Sequence, residues 1–231
     1  MKTPKVPEAT VVRLSIYSRY LAQLEQQGVA TVSSGEIAQA VGVSAAQVRK
    51  DLAYFGEFGT RGVGYSVRAL NEEILKILGL ADVWSVVLVG AGNLGAALVS
   101  YRGFAQRGFI IRAVFDRDPD KIGRSLNGVP VYAVERLPEV VRAVGARIGI
   151  ICVPADQAQP VADLLVAAGI QGILNFAPQF INVPERVVVR NVDLSVHLEV
   201  LSFKLTRRTG APAEEWEQEP NLPAGLPDPP R

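Results

Sequence analysis

Residues 86–95 read VVLVGAGNLG, a β-branched run that opens directly into Gly90-x-Gly92-x-x-Gly95. A second apolar run, IIRAVFD, ends at Asp116. The order strand, glycine turn, helix, strand, acid is the setting of a dinucleotide fingerprint, and each part has a mechanical reason. Gly90 makes the tight turn, Gly92 admits a pyrophosphate to the backbone, and Gly95 lets the helix pack closely on the strand. Ala91, Asn93 and Leu94 fill the turn and the first helical residues, whose free N–H groups and dipole favour an anion. Asp116, about 20 residues beyond Gly95, is placed to accept hydrogen bonds from an adenosine ribose. It favours NAD(H) over NADP(H), because it repels a 2′-phosphate; the adjacent Arg117 works against that preference.

Strands are expected at 85–89, 110–115, 147–153, 171–175 and 186–190, with helices at 93–107, 135–144 and 156–168. This alternation implies an α/β Rossmann domain over residues 81–192, a parallel doubly wound sheet covered on both faces. Some 80 residues precede it and do not belong to the nucleotide fold.

Residues 1–80 are helical with short loops. Leu14, Tyr17, Leu21 and Leu24 recur at helical spacing, and Gly28 offers a stop. Ser33-x-x-Glu36 and Ser44-x-x-Gln47 are two capping boxes either side of Gly42, and Val48, Leu52 and Phe55 share a face. Two capped helices across a glycine turn are the helix-turn-helix signature, here about residues 18–57. The stretch FGEFGTRGVGYSV then reads as a hairpin wing with Arg61 at its tip. Gln47, Arg49, Lys50 and Tyr54 are left on the outer face of the second helix. Arg and Lys reach guanine edges or phosphates, and Gln reaches adenine. Asp51 and Glu57 dilute this patch.

Residues 193–208 form a further helix with two opposed apolar stripes. Leu194, Leu198, Leu201 and Leu205 make one; Val196, Val200 and Phe203 make the other. Two apolar faces mean burial between two bodies, and a helix exchanged in a homodimer meets that need. Residues 211–231 carry six prolines and several acids and read as a disordered tail.

The 231 residues carry a net charge of +1, so nucleic-acid binding must be local rather than driven by an overall field. Cys152, the sole cysteine, rules out an internal disulfide and a cysteine metal cluster, and its place in IGIICVP points to burial. No apolar stretch spans a bilayer and the N-terminus lacks a signal core, so a cytoplasmic protein is expected. No catalytic or metal-ligating set stands out. The only histidine, His197, lies on an edge of the two-striped helix. An NAD-dependent oxidoreductase and a CoA-binding module stay open as other classes. The missing substrate domain speaks against the first, and Asp116 against the second.

The runs VRKDLAYFGEFGTRGVGY at 48–65, GAGNLG, ADLLVAAGIQGILNFAP and NVDL resemble the Rex redox-sensing transcriptional repressors, and the resemblance covers about residues 4–208. It implies a homodimer of winged-helix domains on Rossmann domains, with the C-terminal helix exchanged. It implies binding to pseudo-palindromic operator DNA when free or with NAD⁺, and release by NADH. The resemblance assigns Arg49, Lys50 and Arg61 to DNA, and Gly90 to Gly95 with Asp116 to the cofactor. Arg19, Tyr101 and Asp193 match positions of polar switch contacts between domains. Leu194 stands where some members carry phenylalanine near the nicotinamide, and Ala53 where serine is usual.

NADH and NAD⁺ share every atom that Gly90–Gly95 and Asp116 touch, so redox sensing must occur at the nicotinamide, cationic when oxidised and neutral when reduced. An apolar wall penalises the unpaired cation. Val153, Pro154 and a partner's Leu194 are expected to supply it.

Overall fold

The computed structural model describes residues 6–60 and 62–209. The expected tail and Arg61 at the wing tip lie outside the described residues.

Four helices and a short ribbon surround the first core. α1 (Glu8–Gln26) buries Leu14, Tyr17 and Leu21. α2 (Ser34–Val41) starts at a complete capping box: Glu36 N donates to Ser33 Oγ at 3.1 Å, and Ser33 N donates to Glu36 Oε2 at 2.7 Å. Gly42 ends it at φ 76°, a left-handed conformation that glycine adopts without a Cβ penalty. α3 (Ala45–Ala53) follows and buries Val48 and Leu52. Its expected capping box is only half made. Ser44 Oγ accepts from Gln47 N at 3.1 Å, but the Gln47 amide turns away and donates to Asp51.

The wing is smaller than the sequence suggests. Thr60 and Gly64 form one bridge, and the strand β2 (Tyr65–Ser66) pairs antiparallel with β1 (Thr31–Val32), not with the preceding residues. α4 (Val67–Ile77) closes the unit, with Leu70 and Ile74 buried against the same core as Leu14, Ile37 and Val48.

The second unit begins at β3 (Trp84–Val89). α5 (Asn93–Ser100), α6 (Arg102–Gln106) and β4 (Phe109–Asp116) follow. The single helix expected over 93–107 breaks at Tyr101, whose φ −74°, ψ 102° is extended. Ser100 Oγ bonds back to Ala96 O at 2.9 Å, a local competitor of the helix ladder, and Asn127 binds both groups.

The sequence reading also missed a hairpin, β5 (Ser125–Leu126) and β6 (Val129–Ala133). Pro130 disguises β6, while Asn127-Gly128, with φ 49° and 83°, is the hairpin signal that marks it. Then come α7 (Leu137–Val144), β7 (Ile148–Ile151), α8 (Ala155–Ala167), β8 (Gly172–Asn175) and β9 (Val188–Asn191).

The sheet order is β5-β6-β4-β3-β7-β8-β9, parallel except for β5 against β6. The chain reverses direction across the sheet between β3 and β7, so their C-terminal ends form the crevice where such folds take ligands. On one face α7 and α8 cover Val87, Phe115 and Ile151. On the other, α5 and α6 cover only part of the surface around Val86, Leu88 and Ile150.

The last helix, α9 (Leu194–Thr209), carries both apolar stripes in the open. Among the described residues no helix is long and apolar enough to cross a membrane.

Candidate nucleotide and nucleic-acid sites

The glycine turn joins β3 to α5. Gly90 turns at φ 108° and its N–H donates to Phe115 O at 2.8 Å. A Cβ on Gly95 would lie 1.9 Å from Gly90 O, whereas one on Gly92 would meet nothing within 4 Å. Gly95 is therefore a packing glycine, and Gly92 keeps free the space in front of the helix. The N-cap of α5 is Gly92, which offers no side chain to the first turn.

Asp116 stands at the end of β4, its side chain 11% exposed. Its Oδ2 accepts from Ala91 N at 2.7 Å and its Oδ1 from Asp118 N at 2.9 Å. Burial would push this carboxyl up; the two backbone donors and Lys121 hold it below the usual value. Lys121 Nζ sits 3.5 Å from Asp116 and 3.4 Å from Asp118. Sequence reasoning missed this cation, since it follows the strand-end acid with no periodic pattern.

Gly90, Gly92, Asp116, Arg117, Lys121, Val153 and Pro154 line one cleft of about 350 Å³. Cys152 lines it too. Burial pushes its thiol up to about 12, so it is a neutral packing group near pH 7.

Val153 and Pro154 thus line the same cleft as Asp116, and Leu194 of the same chain is not among its lining residues. Leu194 lies beyond β8, with Leu94, Phe176 and Pro178, around a separate hollow of about 400 Å³.

On α3, Arg49 and Lys50 are exposed, and Arg49 Nη1 donates to Ser34 Oγ at 2.9 Å. Tyr54 is half-buried at the helix end. Asp51 does not dilute the outer face. Its side chain is fully buried and paired with Arg13, whose Nε and Nη2 donate to Oδ2 at 2.6 Å and to Oδ1 at 2.7 Å. Tyr17 Oη, Thr10 Oγ1 and Gln47 Nε2 donate to the same carboxylate at 2.8, 3.0 and 2.8 Å. Burial alone would raise its pKa; the hydrogen bonds from Arg13, Tyr17, Gln47 and Thr10 outweigh that and hold it at about 2. The acid ties α3 to α1.

α1 also faces the nucleotide unit. Arg107 Nη1 donates to Ser18 Oγ at 3.2 Å, and Ser18 Oγ donates to Asn71 Oδ1 at 2.8 Å. Arg190 pairs with Glu8. Between α1 and the incompletely covered sheet face lies an apolar cleft of about 420 Å³, with Arg19, Tyr101 and Arg107 on its wall. Burial and the neighbouring Arg19 lower the Arg107 pKa. Arg19 and Tyr101 are thus brought together, but Asp193 of the same chain is not. It caps α9, accepting from Ser195 N at 2.9 Å, and borders the hollow beyond β8.

The family described as a putative DNA-binding protein N-terminus matches residues 5–53, and the CoA binding domain family matches residues 82–179. The redox-sensing transcriptional repressor Rex of Desulfitobacterium hafniense is 62% identical over 209 residues, 90% of this chain and 100% of that protein. That of Streptomyces coelicolor is 51% identical over 90% of this chain and 81% of that protein. This chain belongs to the Rex family.

Among solved Rex-family structures, RSP in complex with β-NAD⁺ and operator DNA superposes with a TM-score of 0.85 at 39% identity, over 93% of this chain and 99% of that one. RSP in complex with β-NADH superposes at 0.81, with 38% identity, over 89% and 96%.

In this Rex-family chain the cations beside Asp116 make cofactor choice testable. If Asp116 is the ribose acceptor, Asp116→Ala removes it and leaves Lys121 and Arg117 to face a 2′-phosphate. The expected result is NADH affinity lowered about tenfold or more, a loss of roughly 1.5–3 kcal/mol for a hydrogen bond to a charged group. The NADH-over-NADPH ratio is expected to shrink with it. Calorimetry that finds the wild type binding NADPH as tightly as NADH contradicts the assignment.

Proposed function

We propose that this chain is a cytoplasmic repressor that binds pseudo-palindromic operator DNA as a homodimer and is released by NADH, so reporting the NADH/NAD⁺ ratio. The observation that carries the reading is the joining of two sites through one element. α1 holds α3 through Asp51 and walls the cleft above the nucleotide sheet through Arg19. The family relatives named as redox-sensing repressors, and RSP with NAD⁺, NADH and operator DNA, support it.

In this reading residues 1–80 bind DNA, 81–192 bind NAD(H), and 193–208 are the exchanged helix. α3 enters the major groove with Arg49, Lys50 and Tyr54, and Arg61 follows at the wing. The pyrophosphate lies on Gly90–Gly95 and the adenosine ribose on Asp116. The nicotinamide then lies across the switch point, toward Leu94, Phe176 and Leu194, where an apolar hollow favours the neutral reduced ring.

A second copy's α9 fills the apolar cleft. Its exposed stripes match the apolar lining of that cleft. Its Asp193 brings a carboxylate to Arg19, Arg107 and Tyr101, which have no acid of their own chain among the described residues. A charge-assisted contact of this kind exists in only one arrangement of the domains, and so biases the arrangement without touching a base.

Gel shifts on duplex selected from random pools, with saturating NADH and NAD⁺, test the function. NADH is expected to weaken binding while NAD⁺ is not, and CoA is expected to have no effect. Coupling free energies of about 1–3 kcal/mol correspond to a change of about 5–150-fold. In Arg19→Ala and Asp193→Ala the NADH-induced change is expected to fall, with no additive loss in the double variant. An unchanged ratio in all three removes these residues from the switch. An NADH-insensitive wild type overturns the function itself.

A further inference from the structure

From the geometry of α3 we infer that Gln47 is a fixed hydrogen-bond acceptor that selects an amino-bearing base, adenine or cytosine, in the operator major groove. The inference rests on the reading that α3 enters that groove.

A glutamine on a recognition helix is ordinarily ambiguous. Its amide rotates freely and presents either the carbonyl or the NH₂ group, so it accepts from one base or donates to another. Gln47 does not have that freedom. Its amide lies 2.8 Å from Asp51 Oδ1, and Asp51 is fully buried. The carboxylate already accepts from Arg13, Tyr17 and Thr10. An ionised carboxylate only accepts, so the group facing it must be Nε2, and turning the amide over would set two oxygens against each other. The choice of nitrogen is thus fixed by chemistry rather than by the placement of atoms of similar size.

The carbonyl is consequently directed away from Asp51. Among the described residues Gln47 Oε1 accepts no hydrogen bond, and no buried side-chain oxygen or nitrogen lacks a partner. Oε1 is therefore open to solvent. It stands in the first turn of α3, immediately beyond the Ser44 cap, and recognition helices address base edges with their N-terminal residues.

The bases answer such an acceptor differently. Adenine N6 and cytosine N4 present donors in the major groove; guanine O6 and N7 and thymine O4 present acceptors that repel it. One N–H of Nε2 remains after the Asp51 bond, and adenine N7 accepts from it. Adenine is accordingly the base favoured over cytosine. The same tether explains why the second capping box is half made: the side chain that would close it is committed to Asp51.

The test is selection of binding sites from a random duplex pool by the full-length wild type, Gln47→Met, Gln47→Ala and Lys50→Ala. The wild type is expected to select one symmetry-related pair of positions with adenine or cytosine, about tenfold or more over guanine and thymine. Both Gln47 variants are expected to lose discrimination at that pair alone, with unchanged preferences elsewhere and an unchanged salt dependence, since no phosphate contact is removed. Lys50→Ala is expected to alter a different position or the salt slope.

If Lys50→Ala changes recognition while both Gln47 variants select as the wild type does, the inference is overturned and the reading of α3 stands. Discrimination lost at a guanine or thymine also overturns it. If no variant changes selection, the reading of α3 fails, and the inference with it.

Discussion

Asp51→Ala is expected to abolish operator binding and to destabilise the N-terminal unit by about 3 kcal/mol, while leaving NADH binding close to wild type. The magnitude follows from what remains. Removing one partner of a buried ion pair costs about 3–5 kcal/mol, and the low end applies because Arg13 is 23% exposed and regains water. Tyr17, wholly buried, loses its acceptor as well.

The functional loss exceeds the stability loss. The Asp51 carboxylate ties α3 to α1 beside their shared core, and without it the exposed Arg49 and Lys50 no longer share a fixed frame. Denaturant unfolding by circular dichroism, paired with gel shifts, checks both halves. Wild-type operator affinity in the variant contradicts the argument.

The same acid sets a pH dependence. Its folded pKa of about 2 lies below the ordinary 3.8, so the pair contributes stability that is fully present above pH 3.8. That contribution, about 2 kcal/mol, is lost as pH falls through the folded value. The acid limb of the wild-type stability curve between pH 4 and pH 2 is expected to flatten in Asp51→Ala.

The second large effect separates two glycines of one motif. Gly95→Ala drives a Cβ to 1.9 Å from Gly90 O, a backbone atom in a turn that cannot give way without moving β3 from α5. Overpacking of this kind costs about 1–3 kcal/mol or more, and here the strain falls on the glycine turn proposed to take the pyrophosphate. The expected result is a lowered melting temperature with NADH binding lost. Gly92→Ala meets nothing in the protein and has an ordinary φ of −80°. It is expected to melt as wild type does and yet bind NADH at least about tenfold more weakly, because its methyl group occupies the ligand's space. Melting scans with and without NADH discriminate the two. A Gly92→Ala protein that is stabilised by NADH as strongly as wild type removes the pyrophosphate from this turn.

Local signals were legible wherever the backbone demanded a particular residue type. The glycine turn, the Ser33–Glu36 box, Gly42 between two helices and the β-branched strands each follow from a conformation or a hydrogen bond closed within a few residues. The two-striped helix was legible too, because a pattern of apolar faces needs no knowledge of the partner. The β5–β6 hairpin was equally written in Asn127-Gly128 and went unread behind Pro130.

What sequence could not supply were relations between residues far apart in the chain. Asp51 reads as one acid in a basic patch; only folding sets it against Arg13, 38 residues away, and turns a diluting charge into a strut. Lys121 acquires meaning from the carboxylate it faces across a loop. Leu194 of the same chain stands apart from Val153 because it follows β9, two strands beyond β7 in the sheet.

The sequence by itself determined most of the elements, the glycine turn and the family, since these rest on local geometry and on motifs of fixed spacing. Tertiary structure alone decided which charges are buried, which side of the Gln47 amide faces outward and how α1 spans both units. Burial and hydrogen-bond direction are properties of the surroundings of a side chain, and those surroundings come from distant parts of the chain.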